Sequence, residues 1–218
     1  PIVSGVADHV TRRIHFFNDL SQEYPIFIVI DVCPGGSVME GYRILKAMEA
    51  SKAPVYVVVK SFAASMAAVI TTLAKKSFAY PNAIILHHQI STVNWGNMTE
   101  IQEQLQAARE WEKRLHEPVA AKMGTTVKDF VKLMYRNNSR GDWKEFADKA
   151  VTLKWVDNVV RGIEELSITD KPDDKMPLPP WFWGQKVLRD AAGARYVELP
   201  RLSPYDFYHI YNPDRYYR

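Results

Sequence analysis

Ser65, in Ala63-Ala-Ser-Met-Ala67, and His88, at the end of Ile84-Ile-Leu-His-His88, are two side chains whose types fit an acyl centre. One is a hydroxyl that can attack and the other an imidazole that can take its proton. Small residues on both sides of Ser65 let a carbonyl approach closely, and a place at the start of a helix favours developing negative charge. Taken alone, a serine there is more often a cap. His88 falls at the carboxyl end of a strand, where parallel α/β sheets put their working groups. Strand alternation sends its neighbour His87 to the other face, so only one of the two can meet Ser65. A single histidine at a strand end is more often a satisfied structural residue. Gly35-Gly36, after a buried strand, could leave backbone N–H groups free for an oxyanion, although Pro34-Gly-Gly is by default a plain turn.

These residues need elements to hold them. Ile26–Cys33 is a β-branched run of the kind found in strands covered on both faces of a parallel sheet. It ends at Pro34-Gly35-Gly36, and Ser37 then stands at the N-cap of a helix over Met39–Ala50. The phrase repeats, with Val55–Val59 as strand, Lys60–Ala64 as turn and Ser65–Ala74 as an apolar helix. Phe78–Tyr80 and Ile84–His88 are two short strands around the turn dipeptide Pro81-Asn82. Thr99–Met123 is a long amphipathic helix with Ile101, Leu105, Ala108, Leu115 and Val119 on one stripe, closed by Gly124. Further helices are predicted over Thr125–Tyr135 and Lys144–Val151, then a strand over Trp155–Val159. The alternation argues an α/β core with parallel strands.

The 218 residues, 47% hydrophobic, suffice for one substantial core. The 28 basic residues against 25 acidic ones show no run of like charge, so no nucleic-acid partner is expected. The single cysteine, Cys33, cannot form an internal disulfide, which favours a reducing compartment, and paired-cysteine zinc sites are excluded. The longest uncharged stretch, Ser61–Ala74, is too short and polar to cross a bilayer, and the first 25 residues have no continuous apolar core of a signal peptide. A start at Pro1 is compatible with trimming. The expected location is the cytoplasm, or an organelle stroma or matrix if a transit peptide has been removed. After about residue 167 the texture changes: seven of the 13 prolines fall in the last 52 residues, beside Trp181, Phe182, Trp183, Tyr205, Phe207, Tyr208 and Tyr211. Residues 1–166 are expected to form the core, and 167–218 an extended Pro/aromatic-rich arm packed on that core or on a neighbouring subunit.

Taken in order, Asp31-Val-Cys-Pro-Gly-Gly-Ser-Val38, Ala63-Ala-Ser-Met66, Pro81-Asn82 and His88-Gln89 resemble the ClpP peptidase family, the proteolytic subunit of the ATP-dependent Clp protease. Gly5-Val-Ala-Asp-His9 resembles the start of that family's core, Gly96-Asn-Met-Thr-Glu100 the turn opening its handle helix, and Trp155-Val-Asp157 its closing strand. The resemblance implies a ClpP/crotonase-like α/β fold and a Ser-His-Asp triad falling on Ser65, His88 and Asp142. The acid is carried over onto Arg140-Gly-Asp-Trp143, with Gly36 and Met66 supplying the oxyanion N–H groups. It further implies a serine endopeptidase of heptameric rings, stacked as a tetradecamer, in which paralogous Clp subunits can share the ring. The expected partners are an Hsp100-type ATPase unfoldase and unfolded polypeptide; no cofactor or metal is expected, and no P-loop occurs here. Departures are Ala67 and Ile90, where the family usually has Gly and Pro, and a few extra residues between Gly124 and Asp142. Two alternatives are a non-catalytic ring subunit of the same type and a crotonase-like acyl-CoA enzyme, which holds an oxyanion by backbone N–H groups but needs no serine nucleophile.

Overall fold

The structure is a computed structural model that describes residues 1–163 and 187–197. The chain divides into two units, Pro1–Glu164 and Glu165–Arg218. The first is a mixed α/β layer structure with the order α1 (Val6–Leu20), β1 (Ile26–Cys33), α2 (Val38–Ala50), β2 (Val55–Ala64), α3 (Met66–Leu73), β3 (Lys76–Ala79), β4 (Ile84–His87), α4 (Met98–Met123), α5 (Val127–Asn137), β5 (Trp143–Phe146), α6 (Ala147–Thr152) and β6 (Asn158–Val159).

β2 is the spine of the sheet. It pairs in parallel with β1 along almost its whole length. Its other edge is shared, with β3 on the first half and β4 on the last residues, both parallel. Beyond these lie β6, parallel to β3, and β5, antiparallel to β4. The β1/β2 register shifts between Ile30 and Val32, a bulge just before β2 delivers its last residues.

Several expectations change here for physical reasons. β2 does not turn at Lys60–Ala64; it runs on to Ala64, because β4 offers Phe62–Ala64 a ladder. Lys144–Val151 is not one helix, since Trp143–Phe146 supplies the edge that β4 needs, and only Ala147–Thr152 is helical. Trp155 and Val156 are buried ahead of a strand reduced to Asn158–Val159. β1 is not covered on both faces by the described residues, since Phe27, Val29 and Val32 stand exposed. α1 has no counterpart among the predicted elements. Its signal was available in Val6, Val10 and Ile14, at i, i+4 and i+8, which pack on the core.

The most apolar helix, α3, is buried over Met66–Thr72 and fills the centre of the core. α4 is opened by a full capping box, Asn97 accepting from the Thr99 and Glu100 N–H groups while Glu100 takes the Asn97 N–H. Its buried residues are confined to Leu115, His116, Val119 and Ala120, while in the other half of the stripe Ile101 is half-buried and Leu105 exposed. Among the described residues no helix is long and apolar enough to cross a membrane.

Of the second unit the structure describes an antiparallel hairpin, β7 (Val187–Arg189) with β8 (Arg195–Val197). Asp190 turns it by accepting the Ala192 and Ala194 N–H groups. The remainder of the arm expected at 167–218 lies outside the described residues.

Candidate active site

The nucleophile candidate sits on a one-residue reversal. β2 ends at Ala64, α3 begins at Met66, and Ser65 between them takes φ 55° and ψ −125°. A non-glycine residue held there costs on the order of 1–3 kcal/mol, so the surroundings must over-determine it. They do so from both sides: the Ser65 N–H donates to Leu86 O at 2.9 Å, and Val69 N–H returns to Ser65 O. The capping alternative does not hold for Ser65, whose side chain makes no cap hydrogen bond, whereas Ser37 accepts the Glu40 N–H at the start of α2.

The glycine loop lies directly on this turn. A methyl group on Gly35, at φ 87°, would come within 2.6 Å of Ser65 Cβ and 2.9 Å of Met66 N, so only glycine can let the two backbones approach. Gly36 is bridged to Ile2, which donates to Gly35 O and accepts from Ser37 N–H, both at 2.8 Å. In that pattern the flanking residues serve Ile2, and Gly36 turns its own N–H away from it. The Met66 N–H, in the first turn of α3, has no intrahelical acceptor.

The histidine doublet is separated as strand alternation requires. His87 is 1% exposed, bonded through Nε2 to Thr72 Oγ1 at 3.0 Å and packed edge-on to Trp155 and Phe130. Burial pushes its pKa down to about 3, so it is a neutral core residue. His88 is half-buried on the opposite side. Asp142 enters through sheet register: β4 and β5 pair His87 with Trp143 as their last pair, and His88 and Asp142 are the next residue on each strand. With β5, β4 and β2 adjacent in that order, Asp142 directly precedes β5, while His88 and Ser65 directly follow β4 and β2. Among the described residues no hydrogen bond joins the three side chains to one another.

Two further side chains, neither singled out by sequence reasoning, reach the ends of these strands. His116, on α4, approaches the His88 carbonyl through Nε2 at 3.3 Å. That acceptor requires a proton on Nε2, which leaves the buried Nδ1 as a lone pair without a partner. Burial holds the His116 pKa below its ordinary value. Tyr135, on α5, donates its hydroxyl to Gln89 Oε1 at 2.6 Å. Both contacts bridge residues distant in sequence, and no local motif announces them. No group of three or more metal-ligating side chains gathers among the described residues.

This arrangement offers a strained, uncapped serine, an imidazole and a carboxylate on neighbouring strand ends, and a glycine loop beside a helix N-terminus. That is the equipment of acyl transfer through a covalent intermediate. Comparison with known proteins points the same way. The family model described as Clp protease matches residues 1–161. The ATP-dependent Clp protease proteolytic subunit 2 of Treponema denticola is 30% identical over 129 residues, covering 58% of this chain and 64% of that protein's own length. Subunit 1 of Protochlamydia amoebophila is 28% identical, covering 76% of this chain and 80% of its own. The corresponding subunit of Ligilactobacillus salivarius is 28% identical, covering 74% and 80%.

Proposed function

Because the chain belongs to the Clp protease family, we propose that it is a serine endopeptidase subunit of a self-compartmentalised Clp-type protease. In this reading Ser65 Oγ attacks the scissile carbonyl as His88 takes its proton, and the oxyanion is received by the N–H groups of Gly36 and Met66. His88 then protonates the departing amine, leaving an acyl-Ser65 ester. Water hydrolyses this ester with His88 again as base, and Asp142 fixes the imidazole tautomer and stabilises the imidazolium.

The observation that carries the reading is Ser65 itself. A serine held at φ 55° without capping its helix, one hydrogen bond from the strand that leads into His88, gains nothing for the fold from its hydroxyl. Ring assembly is supported by α4, whose outer half leaves the apolar Leu105 exposed among the described residues. The relatives' names, ATP-dependent Clp protease proteolytic subunits, support an ATP-driven partner; its Hsp100 type and unfolded polypeptide as substrate belong to the proposed reading. A second reading, a non-catalytic ring subunit, is favoured by one fact, the absence of hydrogen bonds among the three side chains. Catalytic contacts are commonly loose before substrate binds, which keeps the first reading ahead.

A fluorophosphonate probe followed by mass spectrometry separates the two. We expect an adduct on Ser65 and none in Ser65→Ala, with peptide hydrolysis lost in that variant and assembly retained. An assembled protein with no adduct at Ser65 would leave the structural-subunit reading standing.

A further inference from the structure

Tyr135 touches both continuations of the strand pair that carries the base and the acid. Its hydroxyl reaches Gln89, the residue after His88. Its ring lies against Gly141, the residue before Asp142: a methyl group on Gly141 would stand 3.0 Å from Tyr135 Cζ and 3.2–3.3 Å from the two Cε atoms. Gly141 is buried at φ 76°, so the loop passes beneath the ring only because it has no side chain there. The loop is also folded on itself, Gly141 N–H donating to Asn138 O and Trp143 N–H to Gly141 O.

The position of this contact gives it meaning. The β4/β5 ladder closes with His87 and Trp143, so His88 and Asp142 lie one step past the last paired residues. Strands splay where pairing ends, and a separation of one or two ångströms is enough to keep a base and its orienting carboxylate from forming a hydrogen bond when substrate binds. His116 steadies only the His88 carbonyl. Tyr135 reaches both strands, from a helix that is itself anchored by buried Phe130 and Met134.

We propose that Tyr135 is a positioning residue, a clamp whose hydroxyl on Gln89 and ring on Gly141 hold His88 and Asp142 in register beyond the end of their ladder. The proposal rests on the peptidase reading for its kinetic consequence and on the geometry alone for its mechanical one. Tyr135→Phe keeps the ring on Gly141 and deletes only the hydrogen bond to Gln89. Tyr135→Ala deletes both contacts at a half-exposed position, where the fold is expected to survive.

The test combines hydrogen exchange on the full chain with kinetics on a small peptide substrate. We expect Tyr135→Phe to speed amide exchange across residues 88–90, and Tyr135→Ala to speed it across 88–90 and 138–142 together. In the same variants kcat should fall about threefold to tenfold for Tyr135→Phe, and further for Tyr135→Ala, with KM held. Gln89→Ala should match Tyr135→Phe, and the double variant should lose no more than either alone. Unchanged exchange in both segments of Tyr135→Ala would overturn the clamp, whatever the hydrolysis rate. Faster exchange with unchanged kcat, in a protein whose Ser65 takes the probe, would overturn its role in positioning the base. If Ser65 of the unaltered protein takes no probe, the peptidase reading fails on its own and the clamp is judged by exchange.

Discussion

At the scale of single residues, the site is built around one backbone conformation that its side chain does not explain. Ser65 at φ 55° and ψ −125° is strained in a way that glycine would relieve. Ser65→Ala and Ser65→Gly both remove the hydroxyl, so their difference isolates the backbone. Glycine should be the more stable by about 1 kcal/mol in chemical denaturation, the relief of strain exceeding its extra entropy in the unfolded chain. Equal stability of the two variants would mean that the turn stores nothing. Ser65, His88 and the glycine pair are candidates by type and position, but each alone reads more readily as a cap, a structural histidine or a plain turn, and only their order along the chain lifts them above that. Nothing local distinguishes Asp142 from Asp148 or Asp157, and its candidacy gains support only from the β4/β5 pairing, which closes with His87 and Trp143, the residues next to His88 and Asp142.

The elements divide by length in how far they could be read. α2 and α4 are legible through periodicity sustained over several turns, α2 also through its cap Ser37, whereas the capping box at Asn97 comes from the structure. β5 did not, because four residues cannot display a period of two against one of 3.6, and a partner strand decides what they become. β1 looked like a strand buried on both faces, yet Phe27 and Val29 are exposed, because composition cannot tell a covered face from one left open within the chain. α4 carries the clearest consequence. Leu105 lies on its apolar stripe but is uncovered in this unit, so Leu105→Glu should change intrinsic stability by no more than about 0.5 kcal/mol. In the proposed double ring the same charge would face a neighbouring handle. Sedimentation should then report smaller particles beside a nearly unchanged unfolding transition. Intact particles would remove this stripe from the assembly interface.

For the molecule as a whole, stability should depend on pH through its buried imidazoles. His87 has a folded pKa of about 3 against an ordinary value of 6.5, so below pH 6.5 the unfolded chain takes up a proton that the folded one refuses. Stability contributed by this group is complete above pH 6.5 and declines as pH falls towards 3, with a limiting slope of about 1.4 kcal/mol per pH unit. His116, lowered in the same direction by burial, adds to the decline. His87→Gln, which can keep a hydrogen bond to Thr72, should flatten the acid limb of a stability-against-pH curve, and an unchanged limb would assign it to other groups. The doublet itself bears on how such a chain can change over evolutionary time. A single-residue deletion within Ile84–His87 would shift every later position in β4 by one and turn His88 into the core while the strand kept its pairing. An insertion in the loop at Asn138–Gly141 would disturb the contact of Gly141 with Tyr135 but leave the β4/β5 ladder paired from Trp143 onward. A change of length is therefore expected to cost far more before the base than before the acid.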